Sequence, residues 1–159
     1  MPHRSITCVV YILTALLAWT FPTLAFGDDV GVVKVSKGAA NLERAGQRLP
    51  VPVGTKVREG DIVITGADGS VGITFGDNSL LSIGPDSRLA IDRFAFDSTT
   101  HKGAFETSLN RGTLAAVSGK IAKQSPDAMK VRTPAAVLGV RGTEFLVRTG
   151  GPAGADQGR

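Results

Sequence analysis

The 159-residue chain holds one cysteine, one tryptophan, one tyrosine and two histidines. A single Cys excludes a disulfide framework and any zinc site built on paired cysteines. Histidine is too scarce for a His-based metal centre. Charge of either sign is sparse: 18 Lys+Arg against 14 Asp+Glu leave a net +4. That balance is too mild to call for a nucleic acid or another polyanion as partner. An apolar fraction of 42% argues equally against a disordered tail. The 20 glycines follow no three-residue period, which excludes collagen and leaves turn material.

What is present begins with an export pattern. Arg4 precedes the apolar run Ile6–Trp19, and Pro22 is followed by small-x-small exits at Thr23–Ala25 or Ala25–Gly27. A basic start, an apolar middle and such an exit describe a secretory signal peptide, here residues 1–27. An uncleaved anchor is the alternative, because the 22 residues 6–27 are uncharged and about 20 can span a bilayer. Cys8 lies inside the run and not at its end, unlike a lipoprotein cysteine. No second apolar stretch of spanning length follows, so no stable membrane insertion is expected after cleavage. The expected location is the bacterial periplasm or the exterior. Residues 28–159 then number 132 with a net charge of +3, enough for one core without staples.

From Gly31 onward, two-residue alternation dominates: Val33 and Val35; Val71, Ile73 and Phe75; Leu81 and Ile83; Leu89 and Ile91. These are strands with one buried face. Turns at Gly66–Ser70, Gly76–Ser79 and Gly84–Ser87 separate them, with their serines 9 and 8 residues apart. Such spacing predicts a single all-β domain over 28–149, of short and mostly antiparallel strands in a meander, solenoid-like or barrel-like arrangement. Phe105–Leu109 and Thr113–Val117 read as a hairpin around Asn110-Arg111-Gly112. Ser118–Asp127 reads as a polar loop, and Met129–Thr133 and Glu144–Arg148 as the last strands. Residues 150–159, rich in Gly, read as a frayed tail. No capped 3.6-residue period runs for twelve residues, so little helix is expected.

Catalytic patterns are missing. His101 is the only histidine after residue 27, and no Gly-x-Ser-x-Gly elbow accompanies it. The turns at Asp68, Asp77-Asn78 and Asp86 offer too few oxygen ligands for calcium and read as Asx turns. Gly139–Thr143 has neither the spacing nor the lysine of a phosphate loop. A carboxylate pair could be assembled from Glu59, Asp61, Asp92 or Glu144, of which Glu59 and Asp61 flank Gly60. Ala135–Leu138 is apolar enough to be buried. Arg141, between Gly139 and Gly142, suits a clamp on a carboxylate or on carbonyls. No catalytic, cofactor-binding or metal-binding residue is assigned; Arg141, Glu144, Glu59 and Asp61 are the candidates for structural or interaction roles.

The string Thr-Pro-Ala-Ala-Val-Leu-Gly-Val-Arg-Gly-Thr-Glu-Phe (133–145) resembles the closing signature of the FecR domain. Glu59–Gly66, Gly69-Ser70, Phe75–Leu80 and Leu81–Ser87 fit its middle in the expected order, from about Val32 to Val147. The resemblance implies an extracytoplasmic, mainly β domain, named for the regulator of ferric-citrate uptake. That regulator receives a signal from an outer-membrane transporter and passes it to a cytoplasmic anti-sigma segment. Only five residues precede the apolar run here, so the expectation is a stand-alone exported form without that segment. It supplies no catalytic residues. The combined expectation is an exported, non-catalytic module that binds an unidentified protein or envelope component. The alternatives are a purely structural envelope domain and a glycan-acting enzyme using a carboxylate pair.

Tyr11 and Trp19 both lie in the export segment. The exported protein is therefore expected to start near Phe26 or Asp28 and to absorb almost nothing at 280 nm. Intact mass decides, and a mass that retains residues 1–25 establishes an anchor instead.

Overall fold

The computed structural model describes residues 27–140 and 144–150. Of these, 60% are strand and 6% helix, in one curled half-barrel sheet. The strands are β1 (Asp29–Lys37), β2 (Ala40–Arg44), β3 (Gln47–Pro50), β4 (Lys56–Arg58), β5 (Ile62–Thr65) and β6 (Ser70–Phe75). After these come β7 (Leu80–Ile83), β8 (Arg88–Phe96) and the 15-residue β9 (Gly103–Val117). Helix α1 (Lys120–Gln124) and a single tight turn (Pro126–Ala128) lead to β10 (Met129–Arg132), β11 (Val137–Gly139) and β12 (Glu144–Thr149). The sheet runs β3-β2-β5-β8-β9-β7-β6-β1-β4, and β10 and β12 add to β9. Every pairing is antiparallel except that of β10 with β9.

The expected alternation is largely realised. Val71, Ile73, Phe75, Leu81, Ile83, Leu89 and Ile91 all point into the core. Val35 does not. The register of β1 on β6 slips between Val33 and Val35, and the extra residue turns Val35 to the outer face while Val33 stays buried.

The expected hairpin at Asn110-Arg111-Gly112 is replaced by one continuous bent strand, β9. Its inward residues are odd-numbered before the bend (Phe105, Thr107, Leu109) and even-numbered after it (Leu114, Ala116). That change of phase is the signature of one extra residue, and the β8 register shifts at the same place, with Arg88 opposite Arg111 and Leu89 opposite Leu109. Gly112 takes φ +96°, and a Cβ there would overlap Ser87. The Ser87 hydroxyl fills that space and accepts the Thr113 N–H at 3.0 Å. The Ser87 amide in turn donates to Thr65 Oγ1 at 2.9 Å. The glycine read as a hairpin signal serves as a joint within a strand.

The bend lets one strand serve both halves of the sheet. Its first half pairs with β8 and β10, its second with β7 and β12. Phe75 of β6, Phe94 of β8 and Phe105 of β9 meet between the halves with ring centroids 4.5–5.4 Å apart. Such pairs contribute about 0.5–1.5 kcal/mol each beyond their burial.

Two further expectations are corrected. The segment read as a polar loop, 118–127, contains α1, which buries Ile121 and Ala122. A distant turn caps it: Asp77 Oδ2 accepts the Ile121 N–H at 3.4 Å and Ser79 Oγ accepts the Gly119 N–H at 2.9 Å. Ala135–Leu138, expected to be buried, is exposed, because β11 pairs only with β10 and its other edge has no strand against it among the described residues. The Asx-turn reading holds at Asp77, whose Oδ1 accepts the Ser79 N–H at 3.0 Å. Asp68 differs, clasping the Ala39 N–H 29 residues away. The export segment up to residue 26 and the tail from 151 lie outside the described residues.

Gly46 also has positive φ (78°) but opens to empty space. Gly46→Ala is expected to cost about 1 kcal/mol of backbone strain. Gly112→Ala should add about 1–3 kcal/mol of overpacking to a similar strain. Equal losses in urea unfolding would show that the Ser87 joint does not hold the bend.

Candidate functional site

The four carboxylates singled out from the sequence go to four different environments. Asp61 follows the β4–β5 turn and is 1% exposed. Arg44, at the end of β2, meets it with both prongs: Nε donates to Oδ1 at 2.8 Å and a terminal nitrogen to Oδ2 at 2.7 Å. The same nitrogen reaches the Lys56 carbonyl at 2.9 Å, and the Arg58 amide donates to Asp61 Oδ2 at 2.7 Å. Asp61 is therefore a fully engaged acceptor that ties β2, β4 and β5 together. Its hydrogen bonds hold the Arg44 guanidinium pKa above the usual arginine value, against a smaller opposing effect of burial.

Glu59, two residues earlier, is exposed and accepts the Phe94 N–H at 3.0 Å. It does not share a face with Asp61. Asp92 accepts the Ser108 hydroxyl at 2.5 Å on the outer face of β8 and β9. Glu144 begins β12 and is exposed. Arg141 lies outside the described residues. His101 sits on an exposed turn with φ 57°, its ring stacked on Phe96 at 6.2 Å. In that turn the Thr100 and Thr99 amides hold the Asp97 carboxyl below the usual carboxylate range.

Sequence reasoning missed the role of Arg44, since no spacing links it to Asp61 17 residues on. It also missed an apolar groove of about 280 Å³ between β11 and β12, lined by Leu138, Gly139, Val140 and residues 144–147. Among the described residues Glu144 is the only acid that lines it. A second groove, of about 240 Å³ beside β1 and β4, is lined by Asp29 with Lys34 and Lys56. Among the described residues neither groove gathers two carboxylates. Among the described residues no group of three or more His, Cys, Asp or Glu could hold a metal ion. The described lining of the β11–β12 groove offers apolar contact, the Glu144 carboxylate and strand-edge hydrogen bonding.

A family model described as FecR protein matches residues 61–155, 95 of the 159 residues. The chain belongs to the FecR family. Comparison with curated proteins and with solved structures finds no match. FecR is a regulatory and signalling family. The match to it starts at the buried Asp61 and takes in both lips of the groove, β11 and β12, whereas Arg44 precedes it. No helix among the described residues of this FecR chain is long and apolar enough to cross a membrane.

Removing one partner of a buried pair strands the other, at a cost of about 3–5 kcal/mol. Arg44→Ala, which leaves the Asp61 carboxylate without its cation, is expected to lose close to the lower figure, because Arg44 itself is 29% exposed and the Arg58 amide remains. Arg44→Lys should recover only part of it, as an ammonium cannot bridge both oxygens. Arg132→Ala breaks a 2.6 Å bridge to Glu106 whose arginine is 51% exposed, and should cost under about 1 kcal/mol. Equal losses for Arg44→Ala and Arg132→Ala in urea unfolding would remove Asp61 from its structural role.

Proposed function

We propose that this chain is an exported, non-catalytic FecR domain that acts by binding another protein of the cell envelope. The observation that carries the reading is the β11–β12 groove: Leu138 and Leu146 line it and are exposed, and Val137 is exposed next to Leu138 on β11, beside two strand edges free of any described strand. Exposed apolar surface at an open sheet edge suits an extended segment, which takes hydrogen bonds from the edge and seats alternate side chains in the groove. The carboxylates favour the same reading, since Asp61 is committed to Arg44 and Glu59 to a backbone amide. Membership of a regulatory family agrees with a domain that transmits by contact.

The exported protein, immobilised, is expected to retain one envelope protein from a detergent extract. Leu138→Asp should lose that protein while melting at an unchanged temperature, because Leu138 lies at the exposed lip. Retention by Leu138→Asp equal to wild type, or release of reducing sugar from envelope glycans by the wild-type protein, would overturn the reading.

A further inference from the structure

Among the described residues four strands end the sheet: β3, β4, β11 and β12. Open edges invite pairing with another chain, and proteins blunt them with charge, proline, bulges or short length. Three of the four are blunted in this way. Edge strand β3 carries Arg48 and ends at Pro50, β4 is three residues long with Lys56 and Arg58, and β11 is three residues long. The fourth is not. Strand β12, Glu144–Thr149, runs for six residues without proline and pairs with β9 in an unbroken register from Glu144–Val117 to Thr149–Gly112. At its centre Leu146 is 69% exposed.

The outer face of β12 presents Glu144, Leu146 and Arg148, and its inner face Phe145 and Val147. This order is self-complementary. If two copies of β12 pair antiparallel about a two-fold axis at Leu146, Glu144 stands opposite Arg148 of the second copy, and Arg148 opposite Glu144. Leu146 then meets Leu146, and on the inner face Phe145 meets Val147. Glu144 makes no ion pair with any described residue. Arg148 uses Nε on Thr113 at 3.2 Å, and its terminal nitrogens make no ion pair among the described residues. Leu146 also continues an outer row of small or apolar side chains, Val35, Gly72, Ala115 and Leu146, broken only by Ser82.

We infer that β12 is a self-association edge, on which a second copy of this chain pairs antiparallel about Leu146 to close a symmetric dimer. The inference rests on the reading of the β11–β12 corner as an interaction surface, and it names the occupant of the β12 edge. A two-fold interface uses the same patch on both copies and leaves no open end for further growth. An edge of six residues is smaller than a standard interface, so the association is reversible and concentration-dependent.

Charge reversal tests it, on protein purified from cells expressing the full-length chain. Sedimentation equilibrium over a hundredfold concentration range is expected to show monomer and dimer. Glu144→Arg alone, or Arg148→Glu alone, sets like charges opposite each other twice and should weaken the dimer about tenfold or more. The double reversal restores both pairs and should restore wild-type dimerisation. A wild-type protein that stays monomeric, single reversals without effect, or a double reversal no stronger than the singles would each overturn the inference. Should a single variant fail to fold, Leu146→Cys with Cys8→Ser decides: mild oxidation is expected to link two copies through Cys at 146, and absence of the link overturns the dimer. A monomer that still retains an envelope protein through Leu138 refutes self-association and leaves the proposed function standing. A dimer that retains no envelope protein does the reverse.

Discussion

The bend in β9 is the constraint on which the rest of the molecule depends. A straight 15-residue strand would extend about 50 Å and could serve only one flat sheet. One extra residue near Gly112 turns the strand, and both its edges stay occupied on either side of the turn. Strands β7 and β8 follow it end to end, joined by the turn whose Ser87 lies against Gly112. The curl, the Phe75–Phe94–Phe105 cluster and the positions of β11 and β12 all descend from this joint. Its polar groups are satisfied locally, which allows so sharp a feature to be buried.

Buried polar residues elsewhere do comparable work between segments far apart in sequence. Asp61 collects Arg44, Arg58 and, through Arg44, the Lys56 carbonyl, so one carboxylate registers three strands. Asp77 and Ser79 form an Asx turn and at the same time cap α1, more than 40 residues on. Gly119 is required at that contact, because a Cβ would meet the Asp77 carbonyl and the Ser79 amide. A domain with no disulfide among its described residues thus fixes its loops with charge-assisted hydrogen bonds, each of which contributes more than a neutral one.

The same architecture explains where the interaction surface falls. The bend leaves β10–β11 and β12 added to one strand but in opposite halves, so that two sheet edges border one apolar groove. Ion pairs lie elsewhere, between β8 and β2, where Arg88 meets Glu43, and between β10 and β9, where Arg132 meets Glu106. Of the eight exposed large apolar residues among those described, Val137, Leu138 and Leu146 lie on β11 and β12, where the topology sets no further described strand against them.

Local pattern was enough for much of this. Alternation at Val71–Phe75, Leu81–Ile83 and Leu89–Ile91 specified strands and their buried faces, because a period of two is decided by neighbours in the chain. The ordered motifs from Glu59 to Phe145 carried the family resemblance, and the scarcity of Cys and His excluded the common metal chemistries. Other features had no local signature. Asn110-Arg111-Gly112 suits a hairpin and a bulged strand equally, and only the presence of Ser87 beside Gly112 decides between them. Ala135–Leu138 is apolar whether covered or not, and its exposure depends on which strand lies next to β11. Asp61 looked like a turn carboxylate until the fold placed Arg44 2.7 Å away. The amino-acid sequence by itself determined most of the strands, and the inward face of those that run without a bulge. Tertiary structure alone decided which polar groups meet and which edges stay open, since both depend on contacts between segments distant in the chain.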